Sequence, residues 1–141
     1  LDMDFEWDTC QMPVTVLDAN FRSFQNEILP ELNRRNIGVI GMKSLGGRGQ
    51  FVSGLGLTAE QCRNSALSLP ISTLICGIQT QENLEQDIAI ARDFAPMSDT
   101  DRQTLLDSIY EEATDGRYEW YKTMQTYDSQ YHRDQHGFQQ T

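Results

Sequence analysis

Three short apolar segments, rich in β-branched residues and separated by helix-like stretches, constrain this chain more than any other feature. "CQMPVTVLD" (10–18), "NIGVIGM" (36–42) and "ISTLICGI" (71–78) each have the length and composition of a strand. Between the first two, "RSFQNEILPELNRRN" (22–36) sets Phe24, Ile28, Leu29 and Leu32 at helical spacing, with Pro30 expected to kink or restart the helix. "LTAEQCRNSALSL" (57–69) opens on Thr58 with Gln61 three residues later, the pattern of a capping box, and Pro70 closes it. After the third segment, residues 81–93 align Leu84, Ile88 and Ala91 in one apolar stripe, and "MSDTDRQTLLDSIYEEA" (97–113) starts a further helix with a Ser98 to Asp101 cap. Strands alternating with helices in this order imply parallel βαβ units and an α/β fold.

Three parallel strands leave two open edges, and such a sheet calls for further strands. The chain also opens on "LDMDFEWD", without an initiator methionine or a capping signal. Both features give the expectation of a fragment of a larger unit. From "TDGRYEWYKT" onward no period is sustained, so residues 1–114 read as the α/β portion and 115–141 as an irregular carboxyl-terminal extension.

Composition narrows the function classes. The 141 residues carry a formal net charge of -10, whose summed field repels nucleic-acid backbones and anionic lipid. No apolar run nears the roughly 18 residues of a membrane helix, and no signal peptide is evident, so a cytoplasmic location is expected. Cys10, Cys62 and Cys76 are too few and too widely spaced for a disulfide framework or a metal cluster, and read as small apolar side chains. His132 and His136 share a helical spacing but lack a third ligand; they read as a solvated pair. The alternation Asp2, Asp4, Glu6, Asp8 reads as a solvated face. No metal site is assigned.

Ligands of parallel α/β proteins sit at the carboxyl ends of the strands, which leaves three loops: 18–21, 43–57 and 77–81. The second begins "KSLGGRG" and is not a Walker A loop, because Lys43 and Ser44 precede Gly46 and Gly47 instead of following them into a helix. Nor does Gly47-Arg48-Gly49 complete a dinucleotide fingerprint. Two readings stand for it: a glycine backbone with two cations cradling an anion, or a solvated loop. The third loop leads to a helix start where unsatisfied N–H groups favour a phosphate, unless Thr80 serves only as the cap.

"CQMPVTVLDANFRSFQNEILPELNRRNIGVIGMKSLGG", "LTAEQCRNSALSLPISTLICGIQTQENLEQ", "ARDFAPMSDTD" and the tail "DGRYEWYKT" together resemble, in order, the carboxyl-terminal half of bacterial-type aldo-keto reductases. The resemblance implies a portion of a (β/α)8 TIM barrel, strands six to eight with their helices, from an oxidoreductase that moves hydride between NAD(P)H and an aldehyde or ketone. A barrel of about 250 residues exceeds this chain. It also implies that the catalytic Asp, Tyr, Lys and His lie on earlier strands, so no catalytic residue is assigned here, and Lys43 is not the catalytic lysine.

The cofactor positions carry over one by one. Gln11 matches the glutamine that bonds the nicotinamide carboxamide, and Met42 stands where many members stack a tyrosine on the ring. Lys43, Ser44, Leu45 and Gly46 match the segment along the pyrophosphate, with Gly47 and Arg48 adjoining. Gly77, Ile78 and Asn83, with Gln79 beside them, stand where members present Lys-Ser and Arg to the 2′-phosphate of NADPH, so those charged contacts are missing unless Arg48 or Arg92 supplies the cation. Gln86 and Asp87 replace a Glu-Asn pair at the adenine. The implied partners are NADP(H) or NAD(H) and a carbonyl substrate; a non-catalytic nicotinamide-nucleotide sensor of the same fold is the alternative.

Overall fold

The computed structural model describes Leu1, residues 5–47 and residues 49–123. Asp2, Asp4, Arg48, His132 and His136 lie outside the described residues, as does the extension beyond 123.

Strands β1 (Thr9–Pro13), β2 (Gly38–Met42) and β3 (Thr73–Leu74) form a parallel sheet in the order β1-β2-β3. Thr9 to Pro13 pair with Gly38 to Met42, and Ile40 and Gly41 with Thr73 and Leu74. Matched residues of a ladder point to the same face, so Cys10, Met12, Val39 and Gly41 share one face while Gln11, Ile40 and Met42 share the other. Helices α1 (Phe24–Glu27) and α2 (Leu29–Arg34) connect β1 to β2, and α3 (Gln50–Gly54) and α4 (Ala59–Leu67) connect β2 to β3. Leu29 and Leu32 of α2 and Ala66 of α4 join Met12, Val14 and Val39 in a single core. Both crossovers therefore cover the same face, as βαβ units of one hand advancing in one direction require.

Local chemistry accounts for most boundaries. Ser23 caps α1 by accepting from the Asn26 N–H at 3.0 Å. Pro30 sits in the first turn of α2, where its missing N–H costs no helical bond, so the expected restart occurs there. The capping box of α4 is complete: the Gln61 N–H donates to Thr58 Oγ1 at 3.1 Å and the Thr58 N–H to Gln61 Oε1 at 2.9 Å. Ser98 likewise accepts from the Asp101 N–H at the start of α6 (Asp99–Ser108).

Four elements differ from the sequence reading. The first strand ends at Pro13 and not at Asp18, because the Asp18 N–H bonds Thr15 and curls the chain into a 3-10 turn over Leu17–Asn20. Residues 43–57, expected as one loop, contain α3. Regular pairing of the third strand covers only Thr73–Leu74, flanked by Ser72 N–H to Val39 O and Ile75 N–H to Gly41 O, each 2.8 Å. Its partner stops at Met42, after which Lys43 turns left-handed at φ 59°. The helix expected over 97–113 breaks at Ile109 into α6 and α7 (Tyr110–Ala113), where Ile109 is 2% exposed in a second core with Val16, Leu17, Phe51, Cys62 and Leu105.

Helix α5 (Gln81–Asp93) forms as read, but it turns inward the adjacent face, about a quarter turn from the expected stripe. Leu84 is 42% and Ile88 40% exposed and Ala91 is exposed, while Ile90 is buried and Asn83 and Asp87 are half-buried. A polar contact with α4 decides the rotation, as described below. The described part of the extension includes α8 (Trp120–Thr123), which docks beyond the carboxyl end of β1. Among the described residues no helix is long and apolar enough to cross a membrane.

Candidate functional site

The glycine loop after β2 is a sequence of tight turns. The Gly46 N–H donates to Lys43 O at 2.6 Å and the Gly49 N–H to Leu45 O at 3.1 Å. Gly46 has φ 70°, and a Cβ there would meet the Phe51 ring at 2.9 Å, so both backbone and space exclude a side chain. This loop and the segment after β3 enclose a cavity of about 380 Å³. Lys43, Leu45, Gly46, Gly47, Gly77, Gln79, Asn83, Gln86 and Asp87 line it, all of them positions that the resemblance assigns to a dinucleotide. Two stretches some thirty residues apart thus meet at the carboxyl ends of β2 and β3, the end at which parallel α/β proteins bind ligands.

The remaining assigned positions are placed elsewhere. Ser44 is fully buried beneath the cavity. Gln11 and Met42 lie on the open sheet face, where Gln11 Nε2 donates to Met42 Sδ at 2.9 Å. Ile78 is 48% exposed and does not line the cavity.

Sequence reasoning missed Arg63, Gly49 and Ile75 in the cavity wall, and Arg63 matters most. Its side chain is 5% exposed; Nε donates to Asp87 Oδ1 at 3.0 Å, Nη2 to Asp87 Oδ2 at 3.2 Å and Nη1 to Ser44 Oγ at 2.5 Å. This bidentate pair joins α4 to α5 below the cavity and turns Asp87 inward, leaving Leu84 and Ile88 on the outer face. Asp87, assigned to an adenine contact, is therefore committed first to Arg63. The available signal was a cation within the otherwise small and apolar buried face of α4, beside Cys62 and Ala66.

Charge is unevenly spread in the cavity. Arg63 and Asp87 neutralise each other, and among the described residues no carboxylate pairs with Lys43, whose Nζ lies 6.0 Å from the Tyr121 ring centroid. Among the described residues the site thus offers one uncompensated cation beside a glycine backbone, with neutral amides from Gln79, Asn83 and Gln86 at the far end. At the start of α5, Thr80 Oγ1 accepts from the Asn83 N–H at 3.2 Å, so Thr80 is the cap. The Glu82 carboxyl is held below its usual range by its own backbone N–H and by the Thr80 hydroxyl.

A second polar cluster was also illegible in the sequence. Lys122 Nζ lies 2.6 Å from Asp18 Oδ1 and 3.1 Å from Glu119 Oε2, with side-chain exposures of 2% or less throughout. Asp18 also accepts from the Phe24 and Gln25 N–H groups and from Ser23. Tyr121 donates to Glu119 Oε1 at 2.8 Å, and burial, followed by the Glu119 charge, pushes its phenol above the ordinary tyrosine range. A tyrosine so held is a poor proton donor at neutral pH, and the cluster serves to fasten the extension.

Other candidates resolve simply. Cys62 is buried and its thiol is pushed up to about 11 by desolvation; all three cysteines are free. Glu6 and Asp8 are exposed. Among the described residues no group of three or more His, Cys, Asp or Glu side chains could hold a metal. Comparison with family models, curated proteins and solved structures finds no match to this chain.

Proposed function

We propose that this chain is the dinucleotide-binding part of an aldo-keto-reductase-like oxidoreductase, spanning strands six to eight of a (β/α)8 barrel. One observation carries the reading: Lys43, Leu45, Gly46 and Gly47 together with Gly77, Gln79, Asn83, Gln86 and Asp87, all assigned to the cofactor by resemblance, line a single cavity at the carboxyl ends of adjacent parallel strands. Helices on one sheet face support it too, since a barrel covers only the outer face of its strands.

The residues fit the cofactor's chemistry. Lys43 and the Gly46-Gly47 backbone suit a pyrophosphate, and Gln79, Asn83 and Gln86 suit an adenosine. The Gln11 amide, on the open face beside Met42, suits a nicotinamide carboxamide once it exchanges its contact with the thioether. The cavity volume falls in the range of about 300–1,000 Å³ usual for small-molecule sites. A bound nicotinamide supplies the hydride; this chain's part is to bind and orient it, while proton transfer to the carbonyl falls to residues outside 1–141.

Titration of the full-length protein with NADH and NADPH, followed by dihydronicotinamide fluorescence, tests the reading. Binding is expected to weaken about tenfold in Lys43→Met through loss of one charge-assisted contact. Absence of binding at millimolar nucleotide overturns it. A nucleotide sensor without turnover is the second reading. Aldehyde-dependent oxidation of the bound cofactor separates the two.

A further inference from the structure

We infer that the cavity selects a dinucleotide whose adenosine ribose carries free hydroxyls, NAD(H), and rejects the 2′-phosphorylated form, with the Arg63–Asp87 pair as the discriminating element. The inference rests on the reading above, in which the adenosine end meets Gln79, Asn83 and Gln86.

Three features of that end carry it. A 2′-phosphate brings roughly two further negative charges at neutral pH and needs an available arginine or lysine. Arg63 is the cation of the cavity wall nearest in sequence and space to α5, since it bonds Asp87 of that helix. Its Nε/Nη2 edge, the fork that would grip a phosphate, is occupied by both oxygens of Asp87, and Nη1 is held by Ser44. The pair is nearly neutral to an incoming ligand.

The start of α5 is closed in the same sense. Of the N–H groups that would hold a phosphate at a helix N-terminus, that of Asn83 is already taken by Thr80. The Glu82 carboxylate adds a like charge in that turn. Lys43, the one uncompensated cation among the described cavity residues, stands at the glycine loop, where the pyrophosphate engages it.

By contrast, Asp87 retains acceptor capacity. A carboxylate has about four lone-pair sites, of which Arg63 uses two, and the side chain is 13% exposed at the cavity wall. A ribose hydroxyl can donate to it, the role an acidic residue plays where an unphosphorylated dinucleotide is chosen.

The experiment is competitive titration of the full-length protein with NADH, NADPH, 5′-AMP and adenosine 2′,5′-bisphosphate. NADH is expected to bind at least about tenfold tighter than NADPH, and 5′-AMP tighter than the bisphosphate by a similar factor. In Asp87→Asn the freed guanidinium is expected to narrow or invert both ratios. Glu82→Gln, on an exposed side chain, reads the same effect should Asp87→Asn not fold, and is expected to raise NADPH affinity several-fold with NADH unchanged. Equal or tighter NADPH binding by the unmodified protein overturns the inference and leaves the dinucleotide reading intact. Failure of all four ligands to bind overturns that reading, and the inference with it. Selectivity for NADH unaltered in both folded variants overturns the assignment to Asp87 and its neighbours.

Discussion

Replacing Lys122 by methionine removes one cation from a site where two carboxylates depend on it. Asp18 is 0% and Glu119 2% exposed at the side chain, with Lys122 Nζ at 2.6 and 3.1 Å. Methionine has nearly the same volume, so the loss is electrostatic and involves little cavity formation. Breaking a buried pair by removing one partner costs about 3–5 kcal/mol, because the remaining charge stays desolvated. Asp18 keeps the Phe24 and Gln25 N–H donors at 3.1 and 2.8 Å and Glu119 keeps Thr15 and Tyr121, which places the cost near the lower end. Urea denaturation of the full-length protein is expected to show about 3 kcal/mol lost with an unchanged m-value. Trp120 packs on Gly47, where a Cβ would lie 3.5 Å from its ring nitrogen, so loosening α8 is also expected to weaken nucleotide binding. A loss below about 1 kcal/mol, the range of a surface ion pair, would refute the claim that this cluster fastens the extension.

Other expectations follow from single contacts. Gly46→Ala, at φ 70° against the Phe51 ring, is expected to distort the glycine loop and reduce NADH affinity about tenfold by fluorescence titration, with little change in the far-ultraviolet spectrum. Gly41→Ala puts a methyl 2.8 Å from Val14 and 2.9 Å from Ile71, and is expected to cost about 1–3 kcal/mol in denaturant melts. Thr58→Ala removes half of the α4 capping box and is expected to cost about 1 kcal/mol. The Cys62 thiol ionises near 11 when folded against 9.0 as a free group. Its folded value is the higher one, so its contribution is fully present below pH 9 and lost as pH rises toward 11. Wild type is therefore expected to lose about 2–3 kcal/mol more than Cys62→Ala across that window in denaturant melts.

What the sequence made legible is mostly local. A capping box, a proline in a first turn and short β-branched runs act over a few residues, and α4, the break before Pro30 and the alternation of strands and helices all follow from them. The same holds for the loops at the strand ends, which contain most of the cavity wall. Non-local pairing was not legible. Nothing near Lys122 in the chain announces Asp18, more than a hundred residues away, and the period of α5 gave the wrong inner face because the Arg63–Asp87 bond outweighs the burial of Leu84 and Ile88. The length of β3 depends on where its neighbour stops, a property of Lys43 and not of residues 71–78.

Hydrogen exchange of the full-length protein with and without saturating NADH most directly tests whether two distant loops form one nucleotide site. Added protection is expected in residues 43–49 and 77–87 together, with the carboxyl-terminal part of α5 from Ile88 to Asp93 unchanged. Protection in neither loop, in only one of them, or chiefly around Asp18 and Lys122 would contradict it.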